Sequence, residues 1–370
     1  MSTAPTMRRD DLALWRLARS GDRDAFSAAV EGFRRELQVH CYRMVGSLDE
    51  AEDLVQETLL RAWRRRVTFE GRSTLRAWLY GIATNVCIDA LEHRSRRLLP
   101  PDLVAPSDPA VPPSAASDIP WLEPVPDNWL DQIVDQADGP DEMAFARETI
   151  ELAFLAAIQH LPPRQRAVLI LRDVLGWSAR EAAAVIGMSP IAAKSALQRA
   201  RETLKLHLPD RRVEWSRARE PDAAEQQLLE RYMDAWHRAD VNALADLLAD
   251  DARLAMPPTT AWYEGREAVV TFLASTPLAP GVAMHLHVPT RANRQPAFAV
   301  FLVAAPERPS QTLLPATGKA AVVALRSPRG VAPRPLGVEV LRLRGGKIVE
   351  IDVFREPRLL ERFAITAPSP

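Results

Sequence analysis

The sequence predicts a multidomain chain in which two all-α domains precede one α+β domain, and three observations predict it. Apolar residues recur every three or four positions between 51 and 90, the period of a helix with one buried face. Residues 161–206 carry the punctuation of a helix-turn-helix. From 223 onward two amphipathic helices give way to strand-like segments, the order of an α+β domain. A length of 370 residues suits two or three domains.

Composition narrows the classes. The chain is 47% hydrophobic and 26% charged, which fits folded globular domains and excludes a disordered chain. No apolar run approaches the ~20 residues of a membrane span, and the N-terminus lacks a signal-peptide core. No membrane partner is expected, and a cytoplasmic location is. The two cysteines, Cys41 and Cys87, fall in segments that read as helix. With no CxxC, no Cys/His cluster and no HExxH, neither metal nor cofactor nor disulfide is expected.

A net charge of −1 conceals an uneven distribution. Residues 1–100 carry 17 basic against 14 acidic side chains, 101–146 none against ten, and 147–219 carry 13 against seven. Residues 220–370 carry 17 of each. Two mildly basic blocks thus flank an acidic tether, and such blocks bind nucleic acid even in a neutral chain.

In the first block Ala51, Leu54, Val55, Leu59 and Ala62 form a buried stripe, leaving Asp49, Asp53, Gln56 and Glu57 on the polar face. A second helix buries Leu75, Trp78, Leu79, Ile82, Ala83, Val86 and Ala90. It shows Arg76, Asn85 and Asp89 on its other side and runs into Arg94, Arg96 and Arg97. Cations at a helix C-terminus are mildly favourable with its dipole and suit contact with phosphates. Residues 98–142 read as a linker, because ten prolines between Pro100 and Pro140 forbid a long helix. Its Trp121-Leu122 and Trp129-Leu130 suit either docking on a neighbour or a solvated connector.

The helix-turn-helix follows. Leu161-Pro162-Pro163 opens one helix and Gly176 ends it. Ser178 and Glu181 make a capping box, and Gly187 sits where a left-handed C-cap belongs. Ser189 is the next N-cap, with Pro190 at the first helical position. The second helix is expected to present Lys194, Ser195, Gln198, Arg199 and Arg201 and to bury Ile191, Ala193, Leu197 and Leu204. A short helix, a tight turn and a polar, basic second helix fit a major groove, where Arg and Lys read guanine and Gln reads adenine.

His40-Cys-Tyr-Arg-Met-Val-Gly-Ser-Leu-Asp-Glu-Ala-Glu-Asp-Leu-Val-Gln-Glu-Thr58 and Thr74–Asp89 resemble region 2 of the extracytoplasmic-function sigma factors. Leu161-Pro-Pro-Arg-Gln-Arg-Ala-Val-Leu169, with the helix-turn-helix behind it, resembles region 4. The resemblance covers about 20–208. It implies region 2 over 1–97, an acidic linker over 98–142, region 4 over 143–208 and a short connector over 209–222. It further implies a promoter-specificity subunit of RNA polymerase and not an enzyme.

Site roles come with the resemblance. Asp49, Glu52, Asp53, Gln56 and Glu57 would dock on the β′ clamp helices of the polymerase core. Arg72, Arg76, Trp78, Asn85, Arg94, Arg96 and Arg97 would recognise and melt the –10 element of promoter DNA. Ser189, Lys194, Ser195, Gln198, Arg199 and Arg201 would read the –35 element. The linker would thread toward the polymerase's nucleic-acid channel. One departure is Ala196, where family recognition helices often carry Arg, so one expected contact is missing.

The block 223–363 opens with two helices (Leu228, Leu229, Tyr232, Met233, Trp236; then Leu244, Leu247, Leu248). Strand Ala252–Met256 and a helix from Gly265 to Ser275 come next. Strands over Val282–Val288, Ala297–Ala304, Ala320–Leu325, Val338–Leu343 and Ile348–Phe354 complete it, with a hairpin at Gly345-Gly346. This order, with Met256-Pro-Pro258 and Trp262-Tyr-Glu-Gly265, resembles the SnoaL-like branch of the NTF2-like cone fold. The resemblance implies a cup, for which Trp262, Tyr263, His285 and His287 are the candidate lining and a small molecule the candidate ligand. Asp251, His285, His287 and Asp352 are the available acid/base groups, but no motif fixes a nucleophile. A built-in regulator is the expected role. Two other readings stay open: a helix-turn-helix regulator independent of polymerase, which has no use for the Asp49–Glu57 face, and an enzyme in the C-terminal block.

Overall fold

The structure, a computed structural model, describes residues 9–71, 74–93, 95–113, 115–134, 151–208, 223–279, 284–303 and 332–366. The chain forms two compact units, 1–97 with 128–217 and 98–127 with 218–370. This division differs from the one expected from sequence. The two helical regions share one unit, and most of the expected linker belongs to the C-terminal one.

The first unit begins with α1 (Arg9–Ser20), α2 (Arg23–Val45), α3 (Leu48–Arg64) and α4 (Leu75–Glu92). Asp22, Ser47 and Thr74 cap α2, α3 and α4, each side chain accepting an otherwise unpaired N–H of the first turn. Gly46 ends α2 at φ +76°, a left-handed conformation that only glycine adopts without strain. Trp15 meets Phe69 edge-on at 5.2 Å and Trp78 at 5.6 Å, closing α1 over the chain between α3 and α4. His40 and Thr84, both buried, pin α2 to α4 through a 2.9 Å hydrogen bond. Cys41 and Cys87 are free and buried.

The same unit continues with the Asn128–Val134 part of α5 (Asp127–Val134), then α6 (Leu152–Gln159) and α7 (Pro163–Leu169), which runs into a π-turn over Ile170–Val174. α8 (Ala179–Ile186) and α9 (Pro190–His207) complete it. The capping box is present as expected. Ser178 Oγ accepts from Glu181 N at 3.2 Å, and Glu181 accepts from Ser178 N at 2.8 Å. Gly187 is left-handed at φ +68°, and Ser189 Oγ caps α9 by accepting from Ala192 N. Ala193, Ala196, Leu197 and Ala200 are buried along α9. Ile191, expected among them, is 80% exposed.

The second unit is built from α10 (Ala223–His237), α11 (Val241–Leu247), β1 (Leu248–Ala255), β2 (Trp262–Glu264), α12 (Arg266–Ser275), β3 (Met284–Ala292), β4 (Gln295–Val303), β5 (Arg334–Arg344), β6 (Lys347–Phe354) and α13 (Leu359–Arg362). Its six-stranded sheet has the order β2-β1-β6-β5-β4-β3, with β1 parallel to β6 and the other pairs antiparallel. Leu228, Tyr232 and Trp236 of α10, Leu244 and Leu247 of α11, and Val269, Phe272 and Leu273 of α12 bury against Phe298, Val300, Leu341 and Ile351 of the sheet. Each such side chain contributes about 1.5–3 kcal/mol when fully removed from water. Gly345 and Gly346 turn β5 into β6 at φ +57° and +73°, the primed turn that matches strand twist. β1 starts four residues before the expected strand because Leu248 pairs with Ile348. The strand expected over Ala320–Leu325 lies outside the described residues.

Residues 98–127 are not a solvated connector. Trp262 Nε1 donates to Val104 O at 2.9 Å, Ser107 N to Trp262 O at 2.8 Å, and Ser117 N to Pro258 O at 2.9 Å. Val125 N donates to Asn293 Oδ1, and Asn293 N returns a bond to Val125 O, both at 2.9 Å. Asp127 pairs with Arg291 at 3.0 Å and accepts from Arg294 N at 2.7 Å. Trp121, Leu122 and Val125 are buried. The prolines that forbid a long helix leave a strap with buried apolar side chains, whose backbone bonds to the cone domain at Val104, Ser107, Ser117 and Val125.

Candidate polymerase and promoter interfaces

On α3 the buried side (Ala51, Leu54, Val55, Thr58, Ala62) matches the sequence periodicity, and Asp49, Asp53 and Gln56 are exposed opposite it. The face is less uniform than the sequence suggests. Glu57 accepts from Arg61 at 2.7 Å, Arg61 also reaches Asp89 at 2.9 Å, and Glu50 takes Arg97 at 2.9 Å. Glu52 is half-buried. Leu60, which sequence reasoning passed over, continues the exposed stripe at 52% exposure. Its signal was available, since 49, 53, 56 and 60 follow helical spacing.

Of the –10 candidates, Arg72 and Arg94 lie outside the described residues. Arg76 is held by Glu36 at 2.7 Å and stacks on Tyr80, and Arg97 is engaged by Glu50. Trp78 belongs to the Trp15–Phe69 cluster, 5.4 Å from Phe69, which makes it packing as much as a stacking platform. Asn85 donates to Gly81 O at 2.7 Å and to Val185 O on α8 at 2.9 Å. Arg96 is exposed. A Cβ at Gly81 would stand 3.7 Å from Val185, so α8 lies against this part of α4, while Asn85 itself stays exposed.

Arg166 of α7 anchors that packing. Its buried guanidinium donates to Met44 O at the end of α2, to Gln159 Oε1 at 2.6 Å, to Gln159 O at 2.8 Å and to Leu161 O at 3.2 Å. Burial, with Arg96 adding repulsion, pushes its pKa down to about 9. Four oxygen acceptors hold a cation that has no carboxylate partner among them. Tyr80 and Trp177 pack nearby with rings 5.6 Å apart.

On α9, Lys194, Ser195, Gln198 and Arg199 are exposed as expected, and the Ser189 hydroxyl serves as the cap. Arg201 forms a two-pronged ion pair with Asp173, at 2.6 and 2.8 Å, which turns it toward α7's extension. Ala196 is buried, so its methyl is a packing group.

The candidate cup residues of the second unit do not form one cluster. β2 and β3 are opposite edges of the sheet. Trp262 serves the strap, and Tyr263 stacks on Phe272 at 4.3 Å. His285 and His287 face α10 instead, with Trp236 5.1 and 4.9 Å away and Tyr232 donating to Glu339 at 2.6 Å. Burial, with His287 adding to it, lowers His285 to about 4, so it is neutral. Neither ring nitrogen of buried His287 has a hydrogen-bond partner among the described residues, and Glu339 Oε2 stays 3.7 Å off. Asp352 stands three strands away on β6, roughly 14 Å at ~4.8 Å per strand. Exposed Asp251 is tied to Arg344 at 2.6 Å on β1. The four acid/base candidates therefore do not converge.

Two helical regions, one with an exposed acidic stripe on α3 and one a helix-turn-helix whose second helix is basic, followed along the chain by an α+β domain, define a transcription factor. Residues 29–97 match Sigma-70 region 2, residues 151–204 match Sigma-70, region 4, and residues 229–351 match the SnoaL-like domain. The ECF RNA polymerase sigma factor SigG of Mycobacterium tuberculosis is 46% identical over 285 residues, 77% of this chain and 74% of that one. The probable ECF RNA polymerase sigma factor SigI of the same organism is 26% identical over 341 residues, 91% of this chain and 96% of that one. The crystal structure of Mycobacterium tuberculosis extracytoplasmic function sigma factor SigJ shares the fold, with a TM-score of 0.54 at 21% identity over 92% of this chain and 99% of that one. The chain belongs to the ECF RNA polymerase sigma factors, and carries a C-terminal SnoaL-like domain. As a sigma factor it binds the polymerase core and promoter DNA and directs transcription initiation. No helix among the described residues is long and apolar enough to cross a membrane.

Proposed function

We propose that Asp49, Asp53 and Gln56, continued by Leu60, form the surface that meets the β′ clamp helices, with α4 and the basic run after it contacting the –10 element and α9 the –35 element. The C-terminal domain acts as a built-in regulator through the strap. The strap is the only covalent path from α4 to α5, and its residues 98–127 fold with the cone domain. How freely the two regions separate therefore depends on whether the strap stays docked. The observation that carries this reading is the Asn85–Val185 bond, by which the helix-turn-helix engages an amide that this reading gives to the –10 element.

Removing residues after 219 would strip the strap of its partner and expose Trp121, Leu122 and Val125, so the test keeps the full chain. Asn293→Gly retains the left-handed backbone at φ +53° and deletes the side-chain acceptor of Val125 N. Run-off transcription with core polymerase is expected to change with Asn293→Gly while core binding does not. Unchanged transcription, with hydrogen exchange showing the strap released, removes the regulatory reading.

A small-molecule ligand for the same domain is favoured by one observation, the doubly unpartnered ring of His287 beside Trp236 and Glu339. Such buried orphans usually hold water or a ligand. A small molecule retained by the purified full-length protein in native mass spectrometry, and lost in His287→Phe, supports it. Identical spectra for the two proteins count against it.

A further inference from the structure

Ile191 is 80% exposed at the second position of α9, while Ala193, Ala196, Leu197 and Ala200 anchor the opposite side of the helix. Pro190 and the Ser189 cap hold that first turn in place. Ser195 and Gln198 follow Ile191 at four and seven residues and share its face, with Lys194 and Arg199 at the two edges. An isoleucine thus stands within a polar, cationic surface at the end of a recognition helix that enters the groove first.

The surroundings select the occupant. Flanking Lys194 and Arg199 suit a polyanion and oppose an apolar protein patch. A phosphate offers an isoleucine nothing. Among the base edges of the major groove only thymine presents a methyl group.

We propose that Ile191 is a specificity-determining residue of promoter recognition, packing against the C5-methyl of a thymine in the –35 element. The proposal rests on the assignment of α9 as the –35 reader. Ile191 and Gln198 are separated by roughly 10 Å along the helix at ~1.5 Å per residue, about three base pairs at ~3.4 Å each. The thymine therefore lies within about three base pairs of the pair that Gln198 reads.

The test uses the full-length protein bound to core polymerase. It first selects duplexes from a pool randomised across the –35 region, then replaces each thymine of the selected element by uracil, which differs only in the missing methyl. One substitution is expected to weaken binding about fourfold in the native protein, the scale of one buried methyl. That difference vanishes in Ile191→Ala and persists in Ile191→Val, with thermal midpoints unchanged because the side chain is exposed. A selected element without thymine, insensitivity to uracil at every position, or a methyl effect that survives Ile191→Ala overturns the proposal. If no sequence is enriched, or Gln198→Ala and Lys194→Ala leave the selection unaltered, it is the –35 assignment of α9 that fails, and the proposal with it.

Discussion

The side-chain amide of Asn85 on α4 donates to the backbone carbonyl of Val185 on α8 at 2.9 Å, joining the two helical regions. A residue assigned to the –10 element is thereby engaged by the domain assigned to the –35 element. Gly81, one turn earlier, also faces α8, where a Cβ would make an ordinary contact with Val185 at 3.7 Å. Replacing it with leucine adds a side chain where Val185 stands. Gly81→Leu is expected to raise hydrogen exchange in α8 and increase holoenzyme affinity for promoter DNA about threefold. Unchanged affinity with α8 displaced would mean that the contact does not limit promoter access.

Arg166 should be a stability determinant of the first unit. Arg166→Met leaves Met44 O and both acceptors of Gln159 without their donor, at a cost of about 3 kcal/mol. Arg166→Lys should recover little, since an ammonium cannot reproduce the planar fork. Urea unfolding followed by tryptophan fluorescence checks both.

Acid should loosen the same unit through His40. Burial first, then Arg43 and Arg76, hold it neutral with a pKa of about 3, against 6.5 unperturbed. A depressed pKa means the folded state binds fewer protons. Its contribution is complete above pH 6.5 and is lost as pH falls toward 3, by up to about 1.4 kcal/mol per pH unit. His40→Gln should flatten the pH dependence of the unfolding midpoint between pH 6.5 and 4.5.

Asp352 predicts the opposite slope in the second unit. Burial, then the neighbouring Glu350 carboxylate, raise it to about 8. The folded state keeps this proton, so the contribution is full below the ordinary carboxylate range and disappears as pH rises through 8. Asp352→Asn should increase the thermal midpoint of the full-length protein at pH 8.5 and leave it nearly unchanged at pH 4.

Leu60 should matter to polymerase as much as its charged neighbours. Leu60→Ala is expected to weaken core binding about tenfold, within the value of burying one leucine side chain. Asp53→Arg should do so more strongly and with a marked salt dependence. Competition for core polymerase against a labelled sigma factor measures both. If Leu60→Ala binds like the native protein, the interface stops short of that turn.

Local interactions explain what was legible. Ser178, Glu181, Gly187 and Ser189 act over three or four residues, so their spacing specified α8, the turn and the start of α9 before any tertiary contact. The Gly345-Gly346 hairpin and the buried stripe of α3 were readable for the same reason. The faces of α9 were read less well. Periodicity reports that one side is apolar but does not locate the neighbour that covers it, and near the N-terminus of α9 Ile191 is left 80% exposed among the described residues.

By itself, then, the sequence determined the helical character of the first two regions, the caps of α8 and α9, the closing hairpin, and the two sigma signatures with a helix-then-strand block behind them. Only the tertiary structure decided that residues 98–127 fold with the cone domain, that Asn85 and Arg166 are spent on joining the helical regions, and that Trp262 and His287 stand at opposite sheet edges. The physical reason is range. Caps and periodicity are satisfied within a turn or two of chain, whereas burial and the pairing of polar groups depend on residues a hundred or more positions away, which sequence spacing does not reveal.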